Sequence, residues 1–221
     1  HPSRLASQHA LAGVYRANGQ ISEAVEMLEH VVKVEEKLAE DHPSRLVSQH
    51  ALAGVYRANG QISEAVEMLE HVVKVQEKLA EDHPSRLASQ YALAGVYRAN
   101  GQISKAVEML EHVVKVQEKL AEDHPDRLAS QHALAGVYWA NGQISAALDL
   151  LSRVVAIKQN TLRVDHPSRI VSENSLTYIM RQRERSMEQA STGSASAEHV
   201  PETNRALRKR FKLGLRSWKK V

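Results

Sequence analysis

The 221 residues are 43% hydrophobic, only 4% aromatic and free of cysteine, which excludes disulfides and thiolate metal sites and leaves a core of Leu, Val, Ala and Ile. The formal net charge of +3 is unevenly spread: residues 193–221 carry eight Lys or Arg against two Glu, leaving 21 basic against 24 acidic residues elsewhere. A mildly acidic body thus carries a strongly basic tail.

No apolar run approaches the roughly 20 residues needed to span a bilayer, and no signal peptide opens the chain, so a cytoplasmic location is expected. The chain starts at His1, at a repeat boundary and without an initiator Met, and reads as a piece of a longer protein. Residues 1–41 are repeated over 42–82 with 39 of 41 positions identical; further copies fill 83–123 and 124–165, and a decayed fifth starts at His166. A fixed period of this size signals a stacked array in which each unit buries its apolar face on the next.

Within each unit two stop signals stand out. Asn18-Gly19, Asn59-Gly60, Asn100-Gly101 and Asn141-Gly142 predict a helix end, because glycine tolerates the left-handed conformation there. Asp-His-Pro predicts a helix start, since a proline in the first turn gives up an N–H that would be unpaired anyway. The first helix, about 2–18, places Leu5, Leu11, Ala12, Val14 and Tyr15 at helical spacings; the second, about 20–39, does so with Ile21, Ala24, Leu28, Val31, Val32 and Leu38. Both read as amphipathic, and Ala10, Ala12, Gly13 and Ala24 are expected to let the antiparallel pair approach closely. The fold class is all-α.

Leu11, Tyr15, Gly19, Ala24 and Leu28, with Ala12 at the small position, resemble the tetratricopeptide signature. The unit is 41 residues against the usual 34 or so, and its Asp-His-Pro opening is similar to the lengthened repeats of kinesin light chains. LAEDHPSRLASQHALAG and NGQISEAVEMLEHVVKV are more similar still to the arrays that end fungal NLR-like switch proteins. The resemblance covers residues 1 to about 180. It implies a right-handed α-solenoid, a non-catalytic scaffold for proteins or peptides and, in the fungal proteins, the ligand-sensing end of a larger switch. Two departures from the pattern, Gln8 for a large apolar residue and Val31 for a small one, imply a partly polar pairing inside each unit. Thr161 lengthens the fourth unit to 42 residues, which is expected to change local rotation.

Residues 166–190 keep only the first half of a unit and read as a closing helix, with Ile170, Ile179 and Met180 covering the fourth unit and Arg181, Arg183 and Arg185 facing water. By composition, 191–203 is a flexible linker. Residues 204–221 form a basic amphipathic tail, in which Arg208, Lys209, Arg210, Phe211, Lys212 and Trp218 are candidate contacts for a membrane surface or nucleic acid.

The resemblance places a concave groove along the first helices, with His9, Arg16, His50, Arg57, Tyr91, Arg98, His132 and Trp139 on it. Of the four positions at which the first three units differ, two fall on this face: Ala6 becomes Val47, and His9 becomes Tyr91. Arginine suits carboxylate or phosphate through its fork of donors, so an acidic peptide or protein is the expected partner, with histidine adding charge below neutrality. Histidines recurring once per unit, about 10 Å apart, cannot share a zinc whose ligands lie at about 2.0–2.1 Å; no metal or other cofactor is expected. The chain has no phosphate-binding loop, nucleophile elbow or zincin motif, so it reads as no enzyme. Head-to-tail self-association through the first face of unit one is the alternative role.

Overall fold

The computed structural model describes the backbone of residues 2–198 and the side chains of residues 3–189. Its helices are α1 (Pro2–Ala17), α2 (Ile21–Glu35), α3 (Pro43–Ala58), α4 (Ile62–Gln76), α5 (Pro84–Ala99), α6 (Ile103–Val116), α7 (Pro125–Ala140), α8 (Ile144–Thr161) and α9 (Pro167–Glu198), with a 3-10 turn at Gln117–Lys119 after α6. The chain divides into two units, His1–Leu176 and Thr177–Val221. The first is an α-solenoid in which each helix packs on the next in sequence, so every interior unit is clamped from both sides.

Each helix pair is closed by its Asn-Gly. Gly19, Gly60, Gly101 and Gly142 have φ between 75° and 81°. This left-handed residue lets the Gly19 N–H donate to the Arg16 carbonyl at 3.1 Å and the Gln20 N–H to the Tyr15 carbonyl at 2.9 Å, the paired bonds of a Schellman end. Directly across the turn, Ala12 and Ala24 are fully buried, as are Ala53 and Ala65, Ala94 and Ala106, Ala135 and Ala147. Small side chains there bring the two backbones together. Ala10 and Gly13 are exposed and take no part in this approach, contrary to the reading from sequence.

The joins between units rest on the His-Pro-Ser-Arg stretch. His42 caps α3 by accepting the Ser44 N–H on Nδ1 at 3.2 Å; His83, His124 and His166 repeat the bond at 3.2 Å. An imidazole acceptor here replaces the usual Ser, Thr, Asp or Asn cap. Arg45, Arg86, Arg127 and Arg169 reach back to the preceding loop, donating to the carbonyls of Leu38, Leu79, Leu120 and Leu162 at 2.7–3.1 Å. These bonds satisfy loop carbonyls that no helix pairs. They also explain why the second helix stops at Glu35 rather than near Ala39: the chain after it is folded into the arginine's grasp. In the fourth unit α8 instead continues to Thr161, which absorbs the extra residue.

The core is a column of Leu28, Leu69, Leu110 and Leu151, flanked by fully buried Val31, Val72, Val113 and Val154. Each such side chain contributes about 1.5–3 kcal/mol by leaving water. A polar seam runs beside it. Gln49 and Gln90, at the position of Gln8, are buried, and so are Gln76 and Gln117 on the second helices.

The start of α9 seals the fourth unit through polar bonds. Lys158, only 4% exposed, donates to the Ser168 carbonyl, Ser168 Oγ and Ser172 Oγ at 3.2, 2.8 and 2.9 Å, and Gln159 donates to Glu173 at 2.8 Å. Ile170 and Met180 are 40% and 48% exposed, and Ile179 is buried. α9 also runs on to Glu198, taking in residues 191–198 of the expected linker. A helix already nucleated extends cheaply, and Ala195 and Ala197 favour it while only Gly193 costs about 1 kcal/mol. The tail residues Arg208, Lys209, Arg210, Phe211, Lys212 and Trp218 lie outside the described residues. Among the described residues no helix is long and apolar enough to cross a membrane.

Candidate functional site

The first helices α1, α3, α5 and α7 follow one another across the solenoid and line a cleft of about 710 Å³. Its floor is small and apolar, from Ala51, Ala88, Ala92 and Ala129 with Leu87 and Leu120. Four of the residues expected on the groove line it: Arg16, His50, Arg57 and Tyr91. His9, Arg98, His132 and Trp139 do not.

The arginines form a ladder, each rung set over a glycine of the next first helix. Nη1 of Arg16 lies 3.6 Å from the point where a Cβ would stand on Gly54 of the next unit; for Arg57 over Gly95 the distance is 2.9 Å, and for Arg98 over Gly136 it is 3.3 Å. A mid-helix glycine costs about 1 kcal/mol against alanine; here it leaves room for the guanidinium of the unit before. Among the described residues no carboxylate pairs with Arg16, Arg57 or Arg98, and all three are exposed. At the opposite end of the cleft Lys119 Nζ lies 3.5 Å from Asp82, and Asp126 adds a second carboxylate.

The histidines on this face have a different duty. Nδ1 of His50 is 3.2 Å from Ser89 Oγ, and Nδ1 of His132 is 3.0 Å from Ser172 Oγ, so each ties its unit to the next. Burial lowers the pKa of His50; burial, then Lys158 and Arg98, lowers that of His132. Both are therefore less charged below neutrality than a free imidazole. Where Tyr91 replaces histidine the tie is absent, Tyr91 stands 41% exposed, and Ser130 lines the cleft beside it.

A second ladder ties the units from behind. Tyr56, Tyr97 and Tyr138 donate to Glu29, Glu70 and Glu111 at 2.8, 2.6 and 2.7 Å. Burial first, then the carboxylate, pushes the Tyr56 and Tyr138 hydroxyls up to about 12, so they stay donors throughout. Lys105, which replaces the glutamate of units one and two, sits 3.6 Å from Glu70 and 4.9 Å from the centre of the Tyr97 ring. That difference between units is accounted for by local pairing.

A helix pair repeated in this register, with the Asn-Gly break and the alanine contact, is also what the tetratricopeptide-repeat model matches, over residues 3–78 and 85–160. The chain belongs to the tetratricopeptide-repeat family. Among solved structures it is similar to the nearly identical TPR-like repeats of a Podospora anserina protein assigned as a kinesin light chain. Identity is 52%, covering 91% of this chain and 99% of that one, with a TM-score of 0.73. A point variant of those repeats is likewise 52% identical, covering 93% and 98%, at a TM-score of 0.75. BtubC (BKLC) of P. vanneervenii, at 16% identity over 91% of this chain and 85% of that one with a TM-score of 0.69, shares the fold. No curated protein sequence matches the chain.

Seen as tetratricopeptide units, the cleft residues fall on the first helices, and this family is typically non-catalytic. Sequence reasoning placed position 6, here Ala88 and Ala129, on the groove face, but missed Ala51 and Ala92 on its floor. It also missed Lys119, Leu120 and Asp126, which the joins between units carry into the cleft; no periodicity in the sequence marks them.

Proposed function

We propose that the array is a non-catalytic scaffold that holds an acidic, extended segment of another protein along its first helices. The observation that carries this reading is the row of Arg16, Arg57 and Arg98, exposed and without a carboxylate partner among the described residues. A guanidinium held in place and left unpaired is suited to fork onto a carboxylate. The apolar floor at Ala88, Ala92 and Leu87 gives a bound segment somewhere to bury a side chain. Fluorescence polarisation with a labelled acidic peptide tests the reading. Affinity falls with added salt and drops on Arg57→Ala with Arg98→Ala; indifference to both moves the site off this face.

The wider setting, as the ligand-sensing end of an NLR-like switch protein, is supported by the resemblance of LAEDHPSRLASQHALAG and NGQISEAVEMLEHVVKV to fungal arrays of that kind. Reading the coding sequence upstream of His1 tests it: a nucleotide-binding domain there supports the setting, and another kind of domain removes it.

A further inference from the structure

Lys158 shows what a join between two units can hold. It stands at position 35 of the fourth unit and donates to residues at positions 3 and 7 of the next. Its ammonium reaches the Ser168 carbonyl, Ser168 Oγ and Ser172 Oγ at 3.2, 2.8 and 2.9 Å. The join between the third and fourth units carries other residues at the same positions. Position 35 is Gln117, position 7 is Ser130, and position 3 is Asp126, where the other units have Ser3, Ser44, Ser85 and Ser168. Both joins are clasped alike. His124 and His166 cap the following helix at 3.2 Å, and Arg127 and Arg169 donate to the Leu120 and Leu162 carbonyls at 2.7 and 3.1 Å.

Where the later join holds an ammonium, the earlier one has unengaged acceptors. Gln117, Asp126 and Ser130 all line the cleft. Gln117 is 6% exposed and Ser130 3%, yet Oε1 of Gln117 accepts no hydrogen bond. Neither Ser130 Oγ nor the Asp126 carboxylate has a partner among the described residues. Ser89 and Ser172, at the position of Ser130, are engaged by the imidazoles of His50 and His132; Tyr91 takes that place here and leaves Ser130 free. Buried acceptors without a donor are costly, so these oxygens favour a ligand that brings donors.

Three separate acceptors, one of them charged, match the three donors of a compact ammonium. A guanidinium, with its planar fork, suits the paired oxygens of one carboxylate instead. The Tyr91 ring lines the same cleft and offers a face to a cation, as the Tyr97 ring does to Lys105 at 4.9 Å. The chain's own Lys119 is engaged with Asp82 at 3.5 Å. The dipole of α7 opposes a cation at its first turn, and the Asp126 charge offsets it.

We infer that this join is an ammonium site, and that the partner segment places a lysine side chain there, on Asp126, Ser130 and Gln117 beside Tyr91. Arg16 and Arg57 stand in the last turns of α1 and α3 and Asp126 in the first turn of α7, so acid and lysine enter opposite ends of the cleft. The inference rests on the acidic-segment reading above and adds one basic residue to that segment.

Acetylated, amidated and labelled dodecapeptides test the site on the full chain. Each has three Glu in one half and one variable residue, Lys, Arg or norleucine, in the other, and both chain directions are made. In one direction the lysine peptide binds about fivefold tighter than the norleucine peptide, the order expected of a partly exposed charge pair, and tighter than the arginine peptide. Unspecific charge gives the reverse, because an added cation weakens attraction to Arg16 and Arg57. Asp126→Ser and Tyr91→His each install the residue that other units carry at that position, so the fold is kept, as circular dichroism verifies, and each abolishes the lysine advantage. Equal binding of the lysine and norleucine peptides in both directions overturns the ammonium site and leaves the acidic-segment reading standing. Equal binding of lysine and arginine overturns the ammonium as its ligand. An advantage that survives either substitution overturns the site's place at this join, and binding by none of the peptides overturns both readings.

Discussion

Nη1 of Arg57 lies 2.9 Å from the point where a Cβ would stand on Gly95, so the guanidinium occupies the space that a side chain on the next helix would need. The same pair is looser at Arg98 over Gly136, 3.3 Å, and looser again at Arg16 over Gly54, 3.6 Å. Three copies of one contact thus form a graded series within a single molecule.

The glycines separate folding from binding. Alanine at a helical glycine stabilises by up to about 1 kcal/mol when nothing is displaced. Gly54→Ala meets Arg16 at an ordinary contact distance and is expected to raise the unfolding midpoint without changing affinity for an acidic peptide. Gly95→Ala pushes the flexible end of Arg57 aside, so it keeps most of the stability gain but lowers affinity several-fold. Paired thermal melts and titrations of the two variants check this; equal affinities would show that the seat does not orient the arginine.

The tied histidines give stability a defined pH dependence. His50 and His132 have folded-state pKa values below the usual 6.5, through burial and, for His132, through Lys158 and Arg98 as well. A histidine depressed in this way stabilises the fold above its unfolded pKa, and that contribution is lost as pH falls through 6.5 and then through the folded value. The melting temperature is therefore expected to hold from pH 8 to 7 and to drop between pH 7 and 5. His50→Asn with His132→Asn flattens the drop, as melts at each pH will show; an unchanged slope assigns it to other groups. Affinity for an acidic peptide is expected to rise less between pH 7.5 and 6 than two free imidazoles would give, because burial lowers both pKa values.

Identical residues in successive units differ in what covers them. Leu52, Leu93 and Leu134 are 1–4% exposed, whereas Leu11, at the same position of the first unit, is 41% exposed. Leu52→Ala is expected to cost about 2–5 kcal/mol, and Leu11→Ala less than about 1 kcal/mol, since much of that side chain already meets water. Denaturant midpoints compare them. A loss at Leu11 as large as at Leu52, growing with protein concentration, would mean that a second copy covers this face head to tail.

Much of the fold was legible because its signals are local. Asn-Gly marks a left-handed residue and His-Pro a helix start wherever they stand, and a 3.6-residue period needs no neighbour to be read. What escaped depends on side chains from different units meeting. Nothing in His42 announces that its Nδ1 caps α3, since imidazole is not the usual acceptor there. Nothing in Arg45 announces that it folds back on the Leu38 carbonyl and so shortens the helix before it. The candidate groove was half legible: the arginines stood where the family places them, but the histidines beside them face the next unit's serines, which one helix read alone does not reveal.

Deleting residues 83–123 tests the repeat logic and the ladder together. The cut joins Asp82 to His124, so a His-Pro start follows an Asp end as at every other join. It brings His50 opposite Ser130 in place of Ser89, and Glu70 opposite Tyr138 in place of Tyr97, so both ties find the same chemistry. Because stability in such arrays is close to a sum of units and their nearest-neighbour interfaces, the shortened chain is expected to fold, with a lower melting temperature and proportionally less helix by circular dichroism. Arg98 and Tyr91 go with the deleted unit, leaving two arginines before the tryptophan. Affinity for an acidic peptide is expected to fall, because one of the three unpaired arginines is gone. Loss of cooperative melting in the shortened chain contradicts the nearest-neighbour account, and undiminished affinity for an acidic peptide contradicts a site built on the arginine row.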